Sequence, residues 1–193
     1  MGAVSHKLTS GGSGNDTPKI LYGRYVLLRP LTRDDLEQRL QWVNDPEVQR
    51  AWVGVTTAPN APEDMRAWFH LVSEDPLSEQ WAIELQSGGG YAGDIDLHSI
   101  DPVRKEAWIN PLLGAPEVRQ RPVRRDVFAT IARYAFDDKQ LESLWAQIPS
   151  TDPETIAVLQ ELGFEQVEET LFDFIEGVHE LTLVLRRNAF RVT

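Results

Sequence analysis

Apolar positions along the chain follow two spacings, and the switches between them mark its elements. Residues 22–29 (YGRYVLLR) read as a strand that Pro30 stops. Thr32 then begins T-R-D-D, a capping-box-like start, and Leu36, Leu40 and Val43 follow at helical spacing. Asp45-Pro46 opens a short helix, with Asp as cap and Pro in the first turn. A further helix starting near Pro62 carries Met65, Trp68 and Phe69 on its apolar side. The middle of the chain changes to period two. Trp81, Ile83 and Leu85 alternate with Ala82, Glu84 and Gln86 up to a turn at 87–90. The next strand, GDIDLHSI, has Ile95 and Leu97 on one face and Asp94, Asp96 and His98 on the other. Asp101-Pro102 turns the chain into residues 106–113, which Asn110-Pro111 interrupts. A proline there cannot donate to the ladder, so it implies a bulge or a splayed edge.

Residues 122–136 form a strong helical pattern, with Val123, Val127, Ile131 and Ala135 recurring every four residues. A strand at 144–148 follows, then a helix capped by Asp152-Pro153 and ended by Gly163-Phe164. Strands near 165–174 and 178–187, joined around Glu176-Gly177, complete the chain. With the short Asp45-Pro46 helix counted together with its neighbour, the order is β-α-α-β-β-β-α-β-α-β-β.

Composition narrows the field. Residues 1–18 are polar and rich in Gly and Ser, without periodicity, and read as a disordered leader, leaving 19–193 as a single domain. Hydrophobic residues make up 41%, enough for a core. The absence of cysteine excludes disulfides, thiolate metal sites and cysteine nucleophiles, and is compatible with the expected cytoplasmic location. No apolar run approaches the roughly 20 residues that span a bilayer, and the N-terminus has no apolar signal core, so no membrane is expected. The formal charge of −11 repels nucleic acid and anionic surfaces and attracts cations. It serves solubility in any case; beyond that it points to an amine-bearing partner.

The element order resembles that of the GNAT (GCN5-related N-acetyltransferase) superfamily, and three segments carry the likeness further. GDIDLHSIDP resembles the third-strand signature of the branch holding ribosomal-protein and aminoglycoside N-acetyltransferases. VFATIARYAF resembles the long helix after the acyl-CoA loop, and DPETIAVLQELGF the later Asn-x-x-Ser…Gly-Phe segment. The likeness covers about 22–187. It implies an α/β (α+β) fold with a central mixed, mostly antiparallel sheet of about seven strands flanked by helices. It also implies transfer of an acyl group, usually acetyl, from coenzyme A to a small-molecule or peptide amine by direct attack in a ternary complex, with acetyl-CoA or another acyl-CoA as cosubstrate. GNAT domains often dimerise, so a homodimer belongs among the implied states.

This sequence departs from the family pattern at the phosphate loop. Where the branch commonly reads Arg-Gly-x-Gly-x-Gly/Ala, this chain has Arg119-Gln120-Arg121-Pro122-Val123-Arg124, so all three glycine positions are filled and Pro122 removes a donor. One reading has Arg119, Arg121, Arg124 and Arg125, with Gln120, hold the phosphates through side chains. The alternative is a degenerate GNAT-fold protein that does not use acetyl-CoA, either a ligand- or partner-binding domain or an enzyme with other acid–base chemistry in the cleft. In the later helix Asp152 and Thr155 stand for the branch's Asn and Ser, and Leu159 for a tyrosine that often protonates the departing thiolate.

An amine must lose a proton before or during attack, which calls for a base. Asp94, Asp96 and His98 share one strand face, and such a face is expected beside a wet cleft rather than buried. Glu106, two residues before Trp108 on the neighbouring strand, is a displaced base candidate; Glu84 is a weaker one. Nothing pairs His70 or His179 with metal-ligand partners, and no metal is expected. Trp42, Trp52 and Trp68 lie on the early helices, which in the resembled fold form the acceptor side of the cleft; an aromatic wall there would suit a bulky or ring-bearing acceptor, and core packing explains them equally well.

Overall fold

The computed structural model describes residues 18–171 and 177–191. The expected leader, apart from Pro18, and Glu176 of the last turn lie outside the described residues. The first expected strand is in fact two, β1 (Leu21–Tyr22) and β2 (Val26–Pro30), folded back so that Leu21 opposes Leu28. The turn between them is fastened from a distant helix. The Asp126 carboxylate accepts hydrogen bonds from the Tyr25 and Val26 N–H groups at 2.6 and 3.2 Å. A Cβ on Gly23 would lie 2.4 Å from that carboxylate oxygen, so only glycine fits. Local periodicity contains no trace of that contact, and with the first strand divided the sheet has eight strands among the described residues, mostly antiparallel as expected.

The helical layer that follows matches its local signals. Thr32 leads into a 3-10 turn (Arg33–Asp35), with the Asp35 carboxylate accepting from the Thr32 N–H and hydroxyl at 2.8 and 2.9 Å. Helices α1 (Leu36–Val43), α2 (Pro46–Trp52) and α3 (Pro62–Glu74) come next. The Asp45 carboxylate caps α2 by accepting from the Glu47 and Val48 N–H groups. Strands β3 (Glu79–Leu85), β4 (Tyr91–Asp101) and β5 (Glu106–Leu113) form an antiparallel meander. Helix α4 (Arg121–Arg133) runs on into a π-helical turn (Tyr134–Asp138), followed by β6 (Ser143–Pro149) and α5 (Pro153–Leu162). The last helix stops at Gly163, whose left-handed φ of 104° frees the chain to turn into β7 (Glu165–Leu171) and then β8 (His179–Arg186).

Strand order is β1-β2-β3-β4-β5-β6-β8-β7, and the β5–β6 pair is the parallel one. Two cores lie on opposite sheet faces. On β5, Ile109 joins a large core with Val127, Phe128 and Ile131 of α4, while Leu112 points the other way to Leu36, Val43, Val48 and Met65. Helices α1–α3 pack on the meander, and over β6 and β8 that face carries the half-buried or exposed Ser143, Trp145, Gln147 and Glu180 beside the buried Pro149, Thr182 and Val184.

The expected disturbance at Asn110-Pro111 takes the form of a splay. Strand β5 stays paired with β4 as far as Leu113, but pairs with β6 only from Glu106 to Ile109. Strand β6 continues to Pro149 on the β8 side. At the divergence the Asn110 N–H is taken by the Asp96 carboxylate at 3.1 Å, and Pro111 has no N–H to offer.

Candidate functional site

The splay between β5 and β6 is wedged by α2 and by the starts of α4 and α5. Val48, Ala51 and Trp52 enter from one side, and Arg124, Asp152 and Thr155 from the other. Trp52 donates its indole N–H to Asn110 Oδ1 at 3.0 Å, which ties the end of α2 to the point of divergence. Arg124 is 6% exposed and donates to Asp152 Oδ1 at 3.0 Å and to Thr155 Oγ1 at 3.2 Å. These side chains leave a cavity of about 20 Å³ inside the splay.

Outside the wedge, towards the start of α4, lies an open cavity of about 540 Å³ lined by Glu47, Arg50, Ala51, Pro116, Arg119, Gln120, Arg124 and Thr151. Backbone donors are few there. Arg119 and Gln120 spend their N–H groups on Pro116 and Glu117, and Arg124 begins the helical ladder by donating to Gln120. With Pro122 lacking a hydrogen, Arg121 and Val123 remain as first-turn N–H groups. Side chains supply the positive charge instead. Arg119 donates to the exposed Glu47 at 2.7 Å, and the Nε groups of both Arg119 and Arg124 are buried without a hydrogen-bond partner among the described residues. Orphaned guanidinium donors beside an open cavity fit an anionic group. The other two arginines of the segment face elsewhere: Arg121 is paired with Glu154 and Glu161 of α5, and Arg125 donates to the Arg191 carbonyl.

A third cavity, of about 270 Å³, opens where α2 meets the β4–β5–β6 face of the sheet and is lined by Trp52, Val53, His98, Trp108, Ile109, Asn110, Gln147 and Glu180. His98 Nδ1 lies 2.9 Å from Asp96 Oδ1, the carboxylate that also holds the Asn110 N–H. A carboxylate oxygen accepts, so the contact orients Nδ1–H towards Asp96, and in the neutral imidazole Nε2 is then the acceptor. Trp108 stacks on Trp145 with ring centroids 5.6 Å apart and planes 26° off parallel. Glu106 accepts from the Trp145 indole N–H at 3.1 Å and so pins the aromatic pair.

The strand-alternating acids therefore part company. Asp96 and His98 form a pair at the cavity, whereas Asp94, 4% exposed, is sealed beneath α1 instead of bordering a wet cleft. It is bonded by Arg39 Nε at 2.8 Å and by the Tyr91 hydroxyl. Burial pushes the Asp94 carboxyl above the usual carboxylate range while Arg39 and Tyr91 pull it back. Glu84 is occupied by Arg29. His70 pairs with Glu74, and His179 with Glu169. Of the early tryptophans, Trp52 walls the cavity. Trp68 lies 3.5 Å from the Arg39 guanidinium, and the Trp42 ring packs where a Cβ on Gly114 would stand. Among the described residues no group of three or more His, Asp or Glu side chains is arranged to hold a metal ion, and no helix is long and apolar enough to cross a membrane.

Sequence spacing left out several of these groups. Arg39 sits on the Leu36–Leu40–Val43 stripe, a signal that it would be buried and in need of a carboxylate. Trp145 and Gln147 share the alternation of Trp108 and Asn110, but nothing local aligns the two strands. Arg50 and Glu180 carry no pattern at all.

Comparison with known proteins adds to this geometry. Residues 26–165 match the family model of the acetyltransferase (GNAT) domain. No curated protein matches the sequence. Among solved structures, the spermidine N-acetyltransferase from Vibrio cholerae, in complex with CoA and spermine, is similar at a TM-score of 0.74 and 17% identity, over 86% of this chain and 97% of that one. The GNAT-family acetyltransferase from Bacillus anthracis is similar at 0.70 and 13%, over 87% and 98%. A domain from Methanocaldococcus jannaschii DSM 2661 gives 0.69 and 15%, over 83% and 97%. At such identities the likeness is one of fold.

Proposed function

The chain belongs to the GNAT acetyltransferase family, and from that premise we propose that it is an acyl-CoA-dependent N-acyltransferase, acting on an amine by direct attack in a ternary complex. One observation carries the reading. The divergence of β5 from β6 lies between a cavity rimmed by arginines and a cavity holding a carboxylate-oriented histidine. The first suits an anionic cosubstrate and the second a nucleophile that must be deprotonated.

Acetyl-CoA, when bound, supplies an activated acyl carbon on a good leaving group. The protein's part is to bind, orient and move a proton. Arg50, Arg119 and Arg124 hold the phosphates through side chains where the family commonly uses glycine backbone, and Gln120 borders the same space. Asp152 and Thr155 act one step back by fixing Arg124. His98 Nε2 accepts the amine proton, and Asp96 keeps the imidazole in the required tautomer and offsets its charge once protonated. Glu106 serves the aromatic floor, and Asp94 the attachment of α1. The Vibrio relative binds spermine, and an amine acceptor here accords with the chain's charge of −11.

The small volume left by Arg124 in the splay favours a second reading, a domain of this fold that no longer takes acyl-CoA. Calorimetric titration with acetyl-CoA separates the two. The expected result is saturable binding in the micromolar range that weakens about tenfold in Arg119→Ala, the loss of one charge-assisted contact. Absence of binding up to millimolar ligand overturns the transferase reading.

A further inference from the structure

Resting on the acyltransfer reading, we infer that the acceptor is a small amine with a flat apolar body and a second cationic group at its far end, rather than a polypeptide or a flexible polyamine. The 270 Å³ cavity falls just below the about 300–1,000 Å³ typical of drug-sized ligands. That leaves little room for a chain end and the backbone that follows it.

Its walls select for shape. Trp52, Val53 and Trp108 supply apolar surface, and Trp108 cannot turn aside freely because it is stacked on Trp145, which Glu106 holds. Trp52 is likewise fixed by its bond to Asn110. Trp52 and Trp108 are half-buried, held in place and line the cavity, so ring surface is available there for stacking with a flat partner.

Its charges select for spacing. His98 lies opposite Trp108 on the β4–β5 ladder, and Trp108 opposite Trp145 on β6. Glu180 pairs with Pro149, four residues beyond Trp145 on the same strand, a displacement of about 13 Å along the sheet. Among the described residues Glu180 has no partner and is the one carboxylate lining the cavity; Asp96 is engaged by His98 and Asn110, and Glu106 by Trp145. An amine presented to His98 Nε2 is therefore remote from Glu180, which is left to receive a second cationic group. Asn110 and Gln147 line the middle with neutral polarity. A linear polyamine has no flat body to stack on the tryptophans, and among the described residues Glu180 is the one free carboxylate lining the cavity to receive its several charges.

Binding of the amine is measured directly by calorimetry, with and without saturating CoA, so the result does not depend on turnover. The probes are 4-(2-aminoethyl)benzamidine, 2-phenylethylamine, spermidine and an alanine-led tetrapeptide. The benzamidine is expected to bind at least tenfold more tightly than the other three. Trp108→Leu, which keeps bulk but loses the ring, should weaken it about tenfold. Glu180→Gln should weaken it similarly while leaving 2-phenylethylamine unchanged. Spermidine or the peptide binding as well as the benzamidine overturns the inference, as does indifference to both substitutions or failure of all four probes to bind. Loss of acetyl-CoA binding with the benzamidine still bound in this pattern would instead defeat the transferase reading alone.

Discussion

At His98, the proposed proton transfer depends on what stands behind the ring rather than on the ring alone. Asp96 fixes Nδ1 and is itself fixed by the Asn110 N–H, so the histidine is held at the place where β5 leaves β6. Removing the imidazole while keeping a polar side chain tests this role. His98→Gln is expected to lower kcat by about 10²-fold or more, the usual worth of a positioned base, with acetyl-CoA affinity within twofold of the parent. A split of that kind in rapid-mixing and titration data marks proton transfer, whereas a parallel fall in affinity would mark a structural role. The pair of groups was legible in the strand alternation, but not which member carries the lone pair. That needed the orientation of the ring against the carboxylate.

Among elements, α1 is held to β4 by a buried charge pair rather than by apolar contact alone. Arg39, 3% exposed, spans from Asp94 to the face of Trp68 and lies 5.7 Å from Trp52, whose ring walls the 270 Å³ cavity. Removing one partner leaves the other charge buried without compensation. Arg39→Met should therefore cost about 3–5 kcal/mol in denaturant unfolding, and the double variant Arg39→Met/Asp94→Leu should recover much of that loss. Equal destabilisation by the single and double variants would show that the pair contributes through shape instead. Helix α2 has a different task. It offers Glu47 and Arg50 to the anion-side cavity and Trp52 to the other, so its Asp45 cap fixes both sites relative to each other.

Over the whole molecule, the sheet and the first helical layer are joined by charge as well as by core. Arg29 on β2 reaches Asp35 at the helix entrance at 2.7 Å and Glu84 on β3 at 2.8 Å. Burial alone would raise the Asp35 carboxyl, but hydrogen bonds from Arg29 and Thr32 outweigh it and hold the group below its ordinary value. A lowered folded-state value adds stability above the unfolded value, about pH 4 for aspartate, and that stability is lost as pH falls through the folded value. Unfolding free energy should thus drop below about pH 4, and Asp35→Asn should flatten that acid limb while lowering stability at neutral pH. An unchanged acid limb would assign it to other carboxylates.

The amino-acid order by itself determined the elements, because each rests on local rules. Apolar spacing set α1, α4 and the meander, Asp-Pro caps set the starts of α2 and α5, and Gly163 set the end of α5. Even the splay was one of the two disturbances, a bulge or a splayed edge, that Asn110-Pro111 implied, since proline has no N–H to give the neighbour on one of its sides. The tertiary structure alone decided which partners those elements bring. Asp126 divides the first strand by fastening a turn from a distant helix, Arg39 removes Asp94 from the cleft, and Glu154 and Glu161 draw Arg121 from the anion-side cavity. The physical reason is reach. Spacing along a strand or helix fixes which way a side chain points, but a charge or an indole finds its partner across tens of residues of chain, at distances that only the packed molecule sets.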